Sequence, residues 1–208
     1  MKLCLLLAAV AAAQAQVHPD FHGIWLPNRV TSAAPVETPP FLPPAKAKFQ
    51  ENAGQRSETD LRCLPPGVPR IMFQARPFEI VQAQNRIVFL YEGAGHVWRQ
   101  VWMDGRAHPN DPNPDWLGHS IGHWDGETLV VDTVGFNDRT WLDDAGHPHS
   151  EQLHVIEKYS RTGPLAMKYE VTIDDPGAYT RPWTTSNSLS FQPRGALEED
   201  ICLDKIPN

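Results

Sequence analysis

Cysteine is scarce in this chain. Three occur in 208 residues, at positions 4, 63 and 202, and none forms a C-x-x-C pair, which excludes a thiolate zinc cluster and a thioredoxin-like redox pair. Positive charge is short as well: 18 Lys and Arg stand against 25 Asp and Glu, for a formal charge of −7. With no basic cluster anywhere, nucleic acids and anionic membrane surfaces are poor partners. The G-x-G-x-x-G, P-loop and H-E-x-x-H signatures are missing. No repeat and no Gly/Ser-rich run divides the chain, so one domain is expected.

The longest apolar run, Leu3 to Ala13, is too short for a membrane span, which needs roughly 20 residues. It follows Lys2 and ends at the small-x-small triplet Ala13-Gln14-Ala15, the pattern of a signal peptide removed before Gln16. Residues 1–15 are therefore expected to be a signal peptide, and the mature protein to be periplasmic or secreted. In an oxidising compartment the remaining thiols, Cys63 and Cys202, favour a disulfide over a metal pair. Such a bridge closes a loop of about 140 residues and, in the chain-entropy model, stabilises the fold by roughly 4 to 5 kcal/mol. The alternative is a pair of buried free thiols.

Residues 16–62 read as an N-terminal strand and a proline-rich arm, in one domain with residues 63–208, the main barrel and C-terminal tail. Pro35, Pro39, Pro40, Pro43 and Pro44 deny the arm a regular ladder, because proline has no N–H to donate. "PAKAKFQENAGQ" predicts one short helix with Pro44 near its first turn. From "CLPPGVPR" onward, helical periodicity gives way to short alternating segments. Ile87, Phe89 and Tyr91 alternate with Arg86, Val88, Leu90 and Glu92. A second strand runs from His96 to Met103, and "IGHWDGETLVVDTV" predicts a hairpin around Asp125-Gly126. Leu153 to Arg161, Leu165 to Asp174 and Thr185 to Phe191 follow. The pattern predicts an all-β protein, an antiparallel barrel of about eight strands, in which closure removes exposed edges.

"DFHGIW" resembles the G-x-W opening of lipocalin-type (calycin) barrels, in which a tryptophan, here Trp25 after Gly23, plugs the closed end. Most of the mature chain is similar to a group of exported bacterial proteins of unassigned function that resemble lipocalin-like domains. The residues carrying this are "CLPPGVPR", "DGRAHPNDPNP", "GHSIGHWDGETLVVDTVGF", "GHPHSEQLH" and "DPGAYTRPW". The resemblance implies a lipocalin-like barrel and an exported protein, and no particular activity. One departure stands out: "QPRGALEEDICLDKIPN" is too short and proline-broken for the long helix that lipocalins carry after their last strands.

An eight-stranded barrel can enclose one small ligand. Seven tryptophans point to an aromatic-lined cavity, although indoles also serve as core plugs. By alternation Trp98 and Trp102 share one strand face with His96 and Gln100, and Arg99 lies on the other. Tyr91, Trp98, Arg99, Trp102, Trp124, Asn137 and Trp141 are the candidate ligand-binding residues. The expected function is binding of a small apolar or aromatic molecule.

The alternative is an enzyme, a lyase, isomerase or hydrolase, at the barrel mouth. "DDAGHPHSEQLHVIEKYS" concentrates His147, His149, Glu151, His154 and Glu157 just before a strand. His149 or His154 would act as base, with Glu157 or Asp132 as orienting carboxylate. On an extended backbone His147 and His149 lie about 6.6 Å apart on one side, which admits a divalent metal shared with His154 as a lesser alternative. No other cofactor is implied. Alternation places Glu157 opposite His154, and the glutamate spacing misses the cupin pattern. The plainer reading is a polar loop, with Asp143, Asp144 and Gly146 making the turn. "GHSIG" matches G-x-S-x-G at Ser120 but lies inside a hairpin, where a nucleophile elbow does not form.

Overall fold

The computed structural model describes residues 18–28 and 38–201. The expected signal peptide and Cys202 lie outside them. Nine strands close into a barrel in chain order: β1 (Gly23–Pro27), β2 (Phe78–Ala83), β3 (Arg86–Tyr91), β4 (Trp98–Trp102), β5 (His119–Asp125), β6 (Thr128–Val134), β7 (His154–Gly163), β8 (Ala166–Asp174) and β9 (Trp183–Phe191). Trp25 of β1 stands opposite Phe78 of β2 and Phe191 of β9, which completes the ring.

The expected antiparallel barrel of about eight strands is corrected in two respects. The ninth strand is β2, whose Phe78 and Ile80 point inward and are buried while Glu79 and Val81 stay partly exposed. The second is direction: β4 and β5 run parallel. A ring of strands that alternate up and down closes only with an even number, so nine strands force one parallel pair. Residues 103–118 make the return, as a parallel connection must, and Pro109, Pro112 and Pro114 keep it out of the sheet. The parallel pairing is brief, with only Val101↔Ser120 and Trp102↔Ile121 in register.

The proline-rich arm forms the predicted helix, α1 (Pro43–Asn52), with proline in its first turn. A second short helix, α2 (Glu58–Arg62), is capped by Ser57, whose side chain accepts from the Asp60 N–H. Buried Arg70 ties this arm to the histidine-rich loop. It donates to Ser57, Thr59 and Asp60 on one side and to Asp144 on the other, at 2.7 to 3.0 Å. Trp25 is fully buried, donates its indole N–H to the Phe21 carbonyl at 2.9 Å, and lies 4.9 Å from the Arg161 guanidinium. It is part of the buried hydrophobic core. Residues 192–201 contain no helix.

Candidate functional site

The barrel interior is rich in buried aromatic side chains. Phe89, Tyr159 and Tyr169 pack ring to ring, with centroids 5.5 and 5.1 Å apart along the series. Among them lies an ion pair: Arg99 of β4, 2% exposed, and Glu157 of β7, 0% exposed. Arg99 Nη2 donates to Glu157 Oε2 at 2.5 Å and to Thr133 Oγ1 at 2.6 Å, and its Nε donates to Ser120 Oγ at 2.9 Å. The Tyr159 and Tyr169 hydroxyls donate to Glu157 Oε1 at 2.8 and 3.1 Å. Burial raises both phenols well above their ordinary range, so they remain protonated donors. Burial works most strongly against the charge on Arg99, but Glu157, Tyr91 and Tyr159 together outweigh it and the guanidinium's pKa is raised. One donor is left over. Arg99 Nη1 is buried and has no hydrogen-bond partner among the described residues.

The aromatic-lined space lies in the barrel wall. β4 and β5 share only two registered pairs, and where they part a groove of about 740 Å³ runs between Trp98, Gln100 and Trp102 on one side and Trp116 to Ser120 on the other. Arg99 and Ser120 belong to the strands that border it, but each is only 2% exposed, with its side chain turned into the barrel. Two of its walls are braced: the Arg106 guanidinium lies 3.6 Å over Trp102 and the Arg139 guanidinium 4.7 Å over Trp116. Asp104 in turn holds Arg106, and Glu58 holds Arg139. Trp98 is 60% exposed.

On the outer face, beside the groove, four side chains form a line. His154 and His108 both direct Nε2 at Asp132 Oδ1, at 2.8 and 3.1 Å, and His108 Nδ1 lies 2.8 Å from His119 Nδ1. Its hydrogen bond to His154 holds the Asp132 carboxyl below its ordinary value and, reciprocally, raises His154. Burial, together with the nearby His108 and Arg106, lowers His119.

The four expected catalytic residues do not converge. Asp132 and His154 meet outside the barrel, Glu157 points inside, as alternation predicted, and His149 belongs to the loop before β7. There its Nε2 faces Thr140 Oγ1 at 2.7 Å and its Nδ1 faces the Ser150 carbonyl at 3.0 Å, with burial lowering its pKa. His147 stacks on Phe49 at 4.4 Å and bonds Asp143. The three imidazoles considered for a metal therefore have separate partners, and no three His, Cys, Asp or Glu side chains among the described residues are placed to hold a metal ion together. The loop is the polar turn of the plainer reading, with residues 146–149 buried and Asp144, Ala145, Glu151 and Gln152 exposed.

Among the expected ligand-binding residues, Trp98 and Trp102 line the groove, while the Arg99 side chain turns into the barrel. Tyr91 lies inside, its hydroxyl 3.7 Å from Met72 Sδ. Trp124 stacks on His18 at 4.7 Å, Trp141 lies 5.6 Å from the Arg70 guanidinium, and Asn137 accepts from the Arg139 N–H in a turn. Ser120 serves Arg99 and Thr133 and is no nucleophile elbow. The glycines of "GHSIG" have a packing reason: a Cβ would meet Thr133 and Val134 at 2.8 Å from Gly118, and Met103 at 2.7 Å from Gly122. Trp116, His108 and His119 join the site without having been expected there. The available signal is their clustering in "DGRAHPNDPNPDWLGHS", a connection too rich in ring side chains to be a mere linker. Compared with protein-family models, with curated proteins and with solved structures, the chain matches none.

Proposed function

We propose that the protein is an exported small-molecule-binding barrel whose ligand occupies the groove between β4 and β5. The observation that carries this is the groove's walls of Trp98, Trp102 and Trp116, the last two braced by the Arg106 and Arg139 guanidinium groups. Such walls stack on a flat ring, so the ligand is a planar aromatic molecule. The groove volume of about 740 Å³ lies within the roughly 300 to 1,000 Å³ of small-molecule sites.

Titration with 5-nitroindazole, read by tryptophan fluorescence, tests this. Trp98→Ala and Trp116→Ala should each weaken binding about tenfold, because a stacked aromatic contributes up to about 1.5 kcal/mol beyond its area. Trp141→Ala, outside the groove, should leave binding unchanged. Equal loss in all three, or no binding by the parent protein, would reject the site.

Export and the disulfide belong to the same reading. The crevice lined by Cys63 is also lined by Asp200, two positions before Cys202. That proximity supports a Cys63–Cys202 bridge. N-terminal sequencing of the exported protein should begin at Gln16, and denatured, unreduced protein should present no titratable thiol.

A further inference from the structure

The line of histidines beside the groove adds chemistry to it. Four hydrogen-bonding groups in series permit little freedom in where their protons lie. An ionised Asp132 accepts from both neighbours, so His108 carries its proton on Nε2 and offers the Nδ1 lone pair. His119 must then donate from its own Nδ1. That leaves a lone pair on His119 Nε2, for which there is no hydrogen-bond partner among the described residues, on a ring that lines the groove.

We infer that the groove is a general-base site, in which His119 Nε2 removes a proton from a carbon next to a carbonyl of the bound ligand, with His108 and Asp132 as positioning residues. The inference rests on the binding reading above. In the step, the C–H bond breaks and its electron pair passes into the carbonyl, giving an enolate. The proton arrives on His119 Nε2, and the Nδ1 proton of His119 moves to His108 Nδ1. The positive charge then rests beside Asp132 instead of in the groove. Returning the proton to a different carbon reverses the relay and releases an isomer, so no oxidant or co-reactant is needed. The surroundings of His119 suit it to act as a base, since burial and the neighbouring His108 and Arg106 keep it below its ordinary value, and hence unprotonated at neutral pH. The charged and titratable groups around it are His108 and Arg106 on the connection, Asp132 behind His108, and Asp115 and His96 along the groove.

A suitable probe is 5-nitrobenzisoxazole, a planar aromatic that any well-placed base converts. Loss of its ring C–H proton breaks the N–O bond and yields 2-cyano-4-nitrophenolate, which is followed by absorbance. The parent protein should turn it over, and His119→Gln should lower kcat on the order of 100-fold, the usual scale of general-base catalysis. Both should still bind 5-nitroindazole, which has the same shape and cannot react. The pH profile of kcat/KM should rise with a midpoint below the ordinary histidine value of about 6.5. Asp132→Asn should move that midpoint lower still, because removing the carboxylate destabilises the protonated relay; a purely structural role would not move it. Retained 5-nitroindazole binding with no turnover, or with turnover indifferent to His119→Gln, would overturn the base while leaving the binding groove standing. Failure to bind 5-nitroindazole would overturn both.

Discussion

At the residue scale, the Arg99–Glu157 pair matters most to stability. Removing one partner of a buried ion pair leaves a charge with no solvent and no counterion, at a cost of about 3 to 5 kcal/mol. Glu157→Gln should therefore lower the urea-unfolding free energy by about that amount, whereas the double replacement Arg99→Leu with Glu157→Leu should cost less than the single change. Two histidines give opposite pH signatures. Burial lowers His149, so the unfolded chain binds the proton first, and stability is lost as pH falls below about 6.5 toward the folded value. The Asp132–His154 pair behaves differently. Asp132 is lowered in the folded state, so its contribution is present above about pH 3.9 and is lost as pH falls through its folded value. His154 is raised, so its contribution is complete below about pH 6.5 and is lost as pH rises through its folded value. The difference in unfolding free energy between parent and Asp132→Asn should thus be largest near pH ~5 and shrink by pH ~9. A difference independent of pH would contradict the pairing. Strand alternation makes it legible that Arg99 turns away from Trp98 and Glu157 away from His154. Their meeting is not legible, because Arg99 and Glu157 are 58 positions apart and are brought together only by the registers of β5, β6 and β7.

At the scale of elements, the seam between β4 and β5 is the weakest part of the ring. Two registered pairs join these strands, against eight for β8 and β9. Hydrogen exchange should show β4 and the start of β5 opening before β7, β8 and β9, because protection follows local hydrogen bonding and packing. Slower exchange at the seam than in β8 would contradict this. Most elements can be read from the sequence, since the hairpin around Asp125-Gly126 and the run from Leu165 to Asp174 announce themselves by alternation and turn chemistry. The strand Phe78–Ala83 carries the same alternation but stands behind a proline-rich approach. The parallel pair has no local signal at all. It follows from the parity of the closed ring, a property of the strand count rather than of any one segment.

For the whole molecule, closing nine strands removes sheet edges and forces one parallel neighbour, and the groove lies beside that pair. Phe89, Tyr159, Tyr169 and the Arg99–Glu157 pair are buried inside the ring. The closed β-architecture was largely legible in periodicity; the groove was legible only at Trp98 and Trp102, because its other wall comes from β5 and a long irregular connection. Everything proposed for function depends on the ligand sitting at that seam. Nitrogen-15 correlation spectra of the mature protein, recorded as 5-nitroindazole is added, would locate it. Shift changes should concentrate at residues 95–102 and 115–120, with Trp98→Ala abolishing most of them. Changes concentrated at the Trp25 end of the barrel or in the loop from 143 to 150, with the seam unaffected, would refute the assignment.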